Sequence, residues 1–265
     1  MIEVSPEVTK VKPGDHVVLT WIKGEGLDVP GTVYESDQGS VNSGAISTFM
    51  KYTVTCENRV VPISKEMPLK EAALLGCDMP PGAGIVLNDA KVKAGESVAV
   101  FGAGGIGQCA ILGAKMAGAS KIIAVDISSE KLEVAKQLGA TDVINAKDIS
   151  PNEEILKLTD NLGVDYAIEA AGLSQTMEQA FLSVRNGGGL CVLAGNLEQG
   201  KKIQLDPFDL IKGKRIAGTW GGGTNPDKDI RLYVDKFLAK QLPCEPLITD
   251  TLSLIHISEP TRPLS

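Results

Sequence analysis

Three glycines carry the clearest chemical signal in this sequence. Gly102, Gly104 and Gly107, in the stretch FGAGGIGQ, have the spacing G-x-G-x-x-G. The apolar residues before them predict a strand and those after them predict a helix, which is the context in which such glycines bind a pyrophosphate. Gly102 permits a tight turn, Gly104 lets the backbone approach a phosphate, and Gly107 lets the helix pack closely on the strand. The helix N-terminus adds N–H donors and a partial positive charge.

An acidic residue follows at the distance that a dinucleotide site requires. Asp126 ends the next predicted strand, KIIAVD, about 20 residues beyond the glycines, where a carboxylate can accept hydrogen bonds from ribose hydroxyls. A 2′-phosphate would meet this carboxylate with no arginine nearby, so the pattern favours NAD over NADP. Asp126 could instead cap the following helix, but Ser128 is the better N-cap.

Cys77 is the residue whose chemistry the local sequence leaves open. It lies in LLGCDMPPGAG, no other cysteine lies within four residues of it, and the chain has only two histidines. A thiolate is a good zinc ligand, but one thiolate lacks the chelation of a three-ligand set. The other cysteines, Cys56, Cys109, Cys191 and Cys244, are predicted to be structural.

The elements around these residues predict an α/β fold. Six short apolar strands alternate with helical patterns after residue 96, namely SVAVF, KIIAVD, TDVIN, VDYAIEAAG, GLCVLAG and RIAGTWG. Such strands form a parallel sheet that is covered on both faces, and six of them complete a Rossmann, doubly wound domain.

The part before this alternation is rich in turns and β patterns. HVVLTW, ISTFMKYTVTC and RVVPI predict strands, and LKEAALLG predicts a helix. The predicted domains are a β domain over residues 1–76, a Rossmann domain over 77–246 and a C-terminal segment over 247–265. The end, SLIHISEPTRPLS, resembles a translated sequencing adapter, the alternative being a natural strand with a proline-broken tail; His256 therefore receives no role.

Composition excludes several classes of function. The net charge is −7 and aromatic residues make up 4% of the 265 residues, which argues against a nucleic-acid partner. No apolar run approaches the length of a membrane span. Five cysteines without paired spacing do not form a disulfide framework, so we expect a reducing, cytoplasmic location.

Several segments together resemble the zinc-type medium-chain alcohol dehydrogenases. The resemblance rests on VKPGDHVVL, STFMKYTV, LLGCDMPPGAG, VAVFGAGGIG, IIAVDI and DPFDLIKGKRIAGTW, and it runs from about Val11 to Ile248. It implies a GroES-like β catalytic domain, here partial, beside the Rossmann domain. It also implies oxidation of a small alcohol or reduction of an aldehyde with NAD and a catalytic zinc. A homodimer formed through the sixth strands of two Rossmann sheets is implied as well.

The resemblance assigns site residues position by position. Cys77 matches the third catalytic zinc ligand, and Asp126 and Lys131 match the residues that hold the adenosine ribose. Thr219 matches a backbone contact to the nicotinamide carboxamide. The pyrophosphate loop corresponds to Gly102, Ala103, Gly104, Gly105, Ile106 and Gly107, and a segment on the nicotinamide side to Ala194, Gly195 and Asn196.

Departures from the family pattern leave three interpretations open. Two further zinc ligands and the proton relay lie before the VKPGD segment in the family, so we expect a chain truncated at both ends with an incomplete zinc site. Between Trp21 and Ile46 there is no cysteine for a structural zinc, and Pro81 replaces a common threonine. The alternatives are a zinc-free reductase of the quinone or enoyl type, and a non-catalytic NAD-binding module.

Overall fold

The computed structural model describes residues 1–252. The described strands are β1 (His16–Leu19), β2 (Val33–Ser36), β3 (Gly39–Asn42), β4 (Val60–Ile63), β5 (Ser97–Phe101), β6 (Lys121–Asp126), β7 (Asp142–Asn145), β8 (Tyr166–Glu169), β9 (Leu190–Leu193) and β10 (Arg215–Gly218). The α-helices are α1 (Leu69–Ala72), α2 (Met79–Gly84), α3 (Gly105–Ala117), α4 (Ser129–Leu138), α5 (Pro151–Leu158), α6 (Ser174–Ser183), α7 (Pro207–Ile211) and α8 (Pro226–Leu238). The adapter-like residues from 253 onward, with His256, lie outside the described residues.

The chain divides into two compact units. The first contains Met1–Gly76 together with the chain from Asn225 onward, and the second contains Cys77–Thr224. Helix α8 therefore clusters with the first unit, whereas the sequence analysis placed residues up to 246 in the Rossmann domain. The domain bounds 1–76, 77–246 and 247–265 stay predictions.

The second unit is built on a six-stranded parallel sheet in the order β10-β9-β8-β5-β6-β7. This is the doubly wound order, with β5 at the centre and the chain moving outward first through β6 and β7 and then through β8, β9 and β10. Val98, Val100 and Phe101 in β5 are completely buried because helices cover both faces. The predicted α/β Rossmann fold is confirmed.

Small residues bring α2 into close contact with α3. A side chain on Gly82 would overlap the Cβ atom of Cys109 and the carbonyl oxygen of Ile106, and one on Gly113 would lie 2.8 Å from the Cα atom of Ala83. Because neither glycine carries a side chain, the two helix backbones approach closely. The start of α2, which follows Cys77, is thereby fixed beside the glycine loop.

The first unit contains two small antiparallel sheets. β1 and β4, both predicted as strands, pair with each other, while β2 and β3 form a hairpin that the sequence analysis did not predict. Residues 46–56, predicted as a strand, contain none in the structure. Within residues 1–252 that segment pairs with no strand, and Phe49, Tyr52 and Val54 remain largely exposed, so its alternating pattern does not lead to pairing.

A buried carboxylate ties three segments of this unit together. Glu57 accepts hydrogen bonds from the backbone N–H groups of Thr9 (2.7 Å), Lys10 (2.6 Å) and Leu27 (2.9 Å). The bond from Leu27, supported by those from Lys10 and Thr9, lowers the pKa of Glu57 although burial opposes this change.

Across residues 1–252 the structure has no helix with both the length and the apolarity that a membrane span needs.

Candidate dinucleotide-binding site

The second unit has a cavity at the carboxyl ends of its central strands. The strand order reverses between β5 and β8, and doubly wound proteins bind ligands at this switch point. The cavity has a volume of about 320 Å³ and is lined by residues that include Gly102, Gly104, Asp126, Lys131, Ala171 and Thr176. The structure thus brings four of the predicted cofactor residues to one place.

The three motif glycines meet different geometric requirements. Gly102 has φ +94°, a left-handed conformation, and a side chain there would lie 2.9 Å from the backbone nitrogen of Ala171. A side chain on Gly107 would overlap the carbonyl oxygen of Gly102, so the start of α3 can lie against β5 only without one. Nothing lies within 4 Å of a Cβ atom built on Gly104, the N-cap of α3. The loop therefore leaves open space for a phosphate at the helix N-terminus.

Asp126 is held at the edge of the cavity by two backbone donors. Its carboxylate accepts hydrogen bonds from the N–H groups of Ala103 (2.7 Å) and Ser128 (2.9 Å). Ser128, as predicted, is the N-cap of α4, and its hydroxyl accepts from the N–H of Lys131 at 3.4 Å. Asp126 is thus placed between the glycine loop and α4, where a ribose would lie.

One wall of the cavity depends on a residue that the sequence analysis missed. Glu169, at the end of β8, is completely buried and accepts hydrogen bonds from Ala171 N, Gly172 N and the hydroxyl of Thr176. A signal was available, because a single acidic residue at the carboxyl end of an apolar strand in a parallel sheet lies at the ligand-binding edge.

The predicted nicotinamide-side residues lie outside this cavity. Ala194 and Gly195 follow β9 and donate their N–H groups to the carbonyl oxygen of Glu169, and Asn196 lies next to Gly172. Thr219 follows β10; its N–H donates to Leu193 O at 3.1 Å, and its hydroxyl donates to Asp89. Their contacts to a nicotinamide stay predictions.

Cys77 is exposed and lies just before α2. The neighbouring Asp78 lies beside the glycine loop, since a Cβ atom built on Gly105 would be 3.4 Å from Asp78 Oδ1, and burial raises the pKa of Asp78. Within residues 1–252 no group of three or more His, Cys, Asp or Glu side chains is arranged to hold a metal ion. The role of Cys77 as a zinc ligand stays a prediction.

The remaining cysteines have the properties of structural thiols. All four are buried, and burial raises the pKa of Cys191 and of Cys244 to about 12 in each case. The thiols of Cys191 and Cys244 therefore stay protonated at neutral pH and are poor metal ligands.

Comparisons with known proteins indicate the family of this chain. A family model described as zinc-binding dehydrogenase matches residues 105–239. The chain is 34% identical to an S-(hydroxymethyl)glutathione dehydrogenase of Photobacterium damsela subsp. piscicida, over 98% of this chain and 77% of that protein.

Solved structures show the same relationship. An alcohol dehydrogenase zinc-binding domain protein from Burkholderia ambifaria is 31% identical with a TM-score of 0.85, over 96% of this chain and 75% of that one. Benzyl alcohol dehydrogenase from Acinetobacter calcoaceticus is 32% identical with a TM-score of 0.81, over 92% of this chain and 72% of that one. The chain therefore belongs to the zinc-type alcohol dehydrogenases of the medium-chain dehydrogenase/reductase family, a family of oxidoreductases.

Proposed function

We propose that this chain binds NAD(H) and takes part in the oxidation of a small alcohol or the reduction of the matching aldehyde. The observation that carries the proposal is the cavity at the switch point, where the open space beside Gly104 adjoins the carboxylate of Asp126. Bound NAD would supply a nicotinamide ring that accepts a hydride from the alcohol carbon. The relatives named above, a benzyl alcohol dehydrogenase among them, support this substrate class.

The residues of the site have separate tasks in this proposal. The N–H groups at the start of α3 bind the pyrophosphate, and Asp126 accepts hydrogen bonds from the ribose hydroxyls. Lys131 lines the same cavity and is proposed to contact the adenosine ribose. Ala194, Gly195, Asn196 and Thr219 are proposed to contact the nicotinamide half.

The donors described around Cys77 do not by themselves fit a catalytic zinc. Such a site has three protein ligands and an open fourth position, and no cluster of that size occurs in residues 1–252. We propose that Cys77 supplies one thiolate to the zinc. The other ligands would have to come from donors other than those that the structure describes around Cys77.

The experiment that tests this function combines cofactor binding, metal content and turnover. The purified chain is titrated with NADH by fluorescence, zinc is measured by elemental analysis, and NADH formation is followed with benzyl alcohol and NAD. Saturable NADH binding with turnover supports the dehydrogenase. Binding without turnover supports the non-catalytic NAD-binding module, and absence of NADH binding contradicts the proposal.

The Cys77→Ser variant isolates the metal question. If the wild-type chain binds zinc and Cys77 is one of its ligands, this variant loses that zinc, while NADH binding persists because the cofactor cavity contains no part of Cys77. Turnover by a protein without zinc would instead support the zinc-free reductase. A Cys109→Ser variant is not a suitable control, because Cys109 is buried against α2. The control is Ser120→Ala, which changes an exposed side chain that is not a proposed metal ligand.

Two further proposals concern assembly and location. β10 is the edge strand of the parallel sheet, and Arg215, Ala217 and Gly218 in it are exposed, so we propose that this edge pairs with a second copy. Light scattering that gives a monomer mass at micromolar concentration would contradict it. The thiol state of the five cysteines supports a reducing compartment, for which we propose the cytoplasm.

A further inference from the structure

Glu169 is a buried acid for which the sequence analysis found no function. It ends β8 at the switch point and is completely buried. Removing a carboxylate from water is costly, and the folded protein offsets this only by supplying hydrogen-bond donors to it. The positions of those donors show which loops the carboxylate holds in place.

One carboxylate oxygen of Glu169 binds the loop that follows β8. Oε1 accepts from Ala171 N at 2.9 Å, from Gly172 N at 2.8 Å and from Thr176 Oγ1 at 2.7 Å. Gly172 has φ +77°, so the loop turns sharply around this oxygen. Ala171 and Thr176 also line the cavity, and the backbone nitrogen of Ala171 lies next to Gly102.

The same residue binds the loop that follows β9. Its carbonyl oxygen accepts hydrogen bonds from the N–H groups of Ala194 (2.8 Å) and Gly195 (3.0 Å). Oε2 is buried without a hydrogen-bond partner among the described atoms, and it faces Gly195, where a Cβ atom would lie only 2.6 Å away. A buried acceptor left in this state is rare in folded proteins and calls for an explanation.

We propose that Glu169 is a positioning residue of the dinucleotide site. It ties the loop after β8, which lines the cavity, to the loop after β9, and it acts on the cofactor through Ala171 and Thr176 without touching it. This inference rests on the proposed function, since it deepens the account of the same NAD(H) site.

The test is the NADH affinity of folded variants, measured well below their unfolding temperatures. Glu169→Gln keeps an acceptor oxygen but removes the charge that strengthens three hydrogen bonds, and we expect the Kd for NADH to rise about tenfold. Thr176→Val removes one donor at nearly constant shape, and we expect a rise of about threefold. Glu198→Gln, which removes an exposed charge in the loop after β9, is the matched control and should bind NADH like the wild type.

A double variant separates positioning from a general loss of stability. If Thr176 acts through Glu169, the double variant Glu169→Gln with Thr176→Val should bind NADH no more weakly than Glu169→Gln alone. If the increases in Kd of the two single variants multiply in the double variant, Thr176 does not act through Glu169. Wild-type affinity for NADH in the folded single variants would overturn the inference. If Glu169→Gln does not fold, the NADH affinity of Thr176→Val decides whether the inference stands. A wild-type chain that does not bind NADH would overturn the proposed function itself, which distinguishes the two failures.

Discussion

At the scale of single residues, Gly104 and Gly107 of the glycine motif differ in the space around them. Gly107 has no room for a side chain because the carbonyl oxygen of Gly102 occupies that space. The fold itself therefore requires glycine at this position. Gly104 has open space around its Cβ position and an ordinary negative φ of −77°, so nothing in the folded chain requires glycine there. The proposed NAD(H) site gives a reason for glycine there, since a bound phosphate would approach this backbone.

Alanine substitutions should separate these two requirements for glycine. Gly107→Ala should lower the free energy of unfolding by about 1–3 kcal/mol, because the overlap forces α3 away from β5. Gly104→Ala should change it by less than about 0.5 kcal/mol but should weaken NADH binding at least about tenfold, because the new methyl group occupies the phosphate space. Urea unfolding and NADH fluorescence measure both quantities, and a stable Gly104→Ala protein with wild-type affinity would contradict the assignment.

The carboxylate of Asp126 should set the preference between the two nicotinamide cofactors. Asp126→Asn keeps an acceptor for Ala103 N or Ser128 N but removes the charge that repels a 2′-phosphate. We expect NADH to bind less tightly and the ratio of the Kd for NADPH to the Kd for NADH to fall by about tenfold or more. The control is Asp148→Asn, an exposed acid between β7 and α5. An unchanged ratio would show that Asp126 does not contact the ribose.

At the scale of elements, a short 3-10 helix stabilises the first unit. Its first residue, Glu57, binds the backbone near Thr9 and Lys10 and also the loop at Leu27. The side chain of Lys10 forms an ion pair with Asp227 in α8, so the same segment is also connected to that helix. Charged groups therefore help to hold the N-terminal segment in place.

The lowered pKa of Glu57 should make this unit sensitive to acid. A carboxylate whose pKa is lower in the folded than in the unfolded state stabilises the fold above the unfolded pKa, and the stabilisation is lost as the pH falls through the folded pKa. The urea midpoint should therefore drop as the pH falls below about 4.3. Glu57→Gln should unfold more easily at pH 7 and show a weaker dependence on acid, whereas the exposed Glu66→Gln should behave like the wild type. Parallel pH curves for Glu57→Gln and wild type would contradict this role.

The elements also show what the sequence can predict. All six strands of the parallel sheet were predicted, because each is short, apolar and bounded by turn residues. The strand predicted over residues 46–56 was wrong, since alternation specifies a strand only where a partner exists, and the β2–β3 hairpin was missed in a polar segment. Gly102, Gly104 and Asp126 were brought together as predicted because their positions follow from the strand order. The position of Glu169 at the carboxyl end of an apolar strand indicated the ligand-binding edge, but its contacts with two loops could not be predicted from any local pattern.

At the scale of the whole molecule, the two compact units differ in how deeply their strands are buried. The second unit is organised around strands such as β5 that are buried on both faces. The first contains two-stranded sheets, and β3 in it is exposed along its whole length. Backbone hydrogen bonds near solvent open more readily than those in a buried sheet.

Amide hydrogen exchange should therefore differ between the units. We expect exchange in β5 and β8 to be at least about a hundredfold slower than in β2 and β3, because opening a central strand requires near-global unfolding. Exchange measured by mass spectrometry on peptic peptides would show this difference directly. Equal protection in the two units would mean that they unfold as one cooperative body.

The most direct test of the central claim is a fluorescence titration of the wild-type chain with NADH, repeated with NADPH. The account predicts saturable binding of one NADH per chain, with NADPH at least about tenfold weaker because its 2′-phosphate meets Asp126. Absence of NADH binding, or equal affinity for the two cofactors, would contradict the assignment of the cavity beside Gly104 and Asp126 as an NAD(H) site.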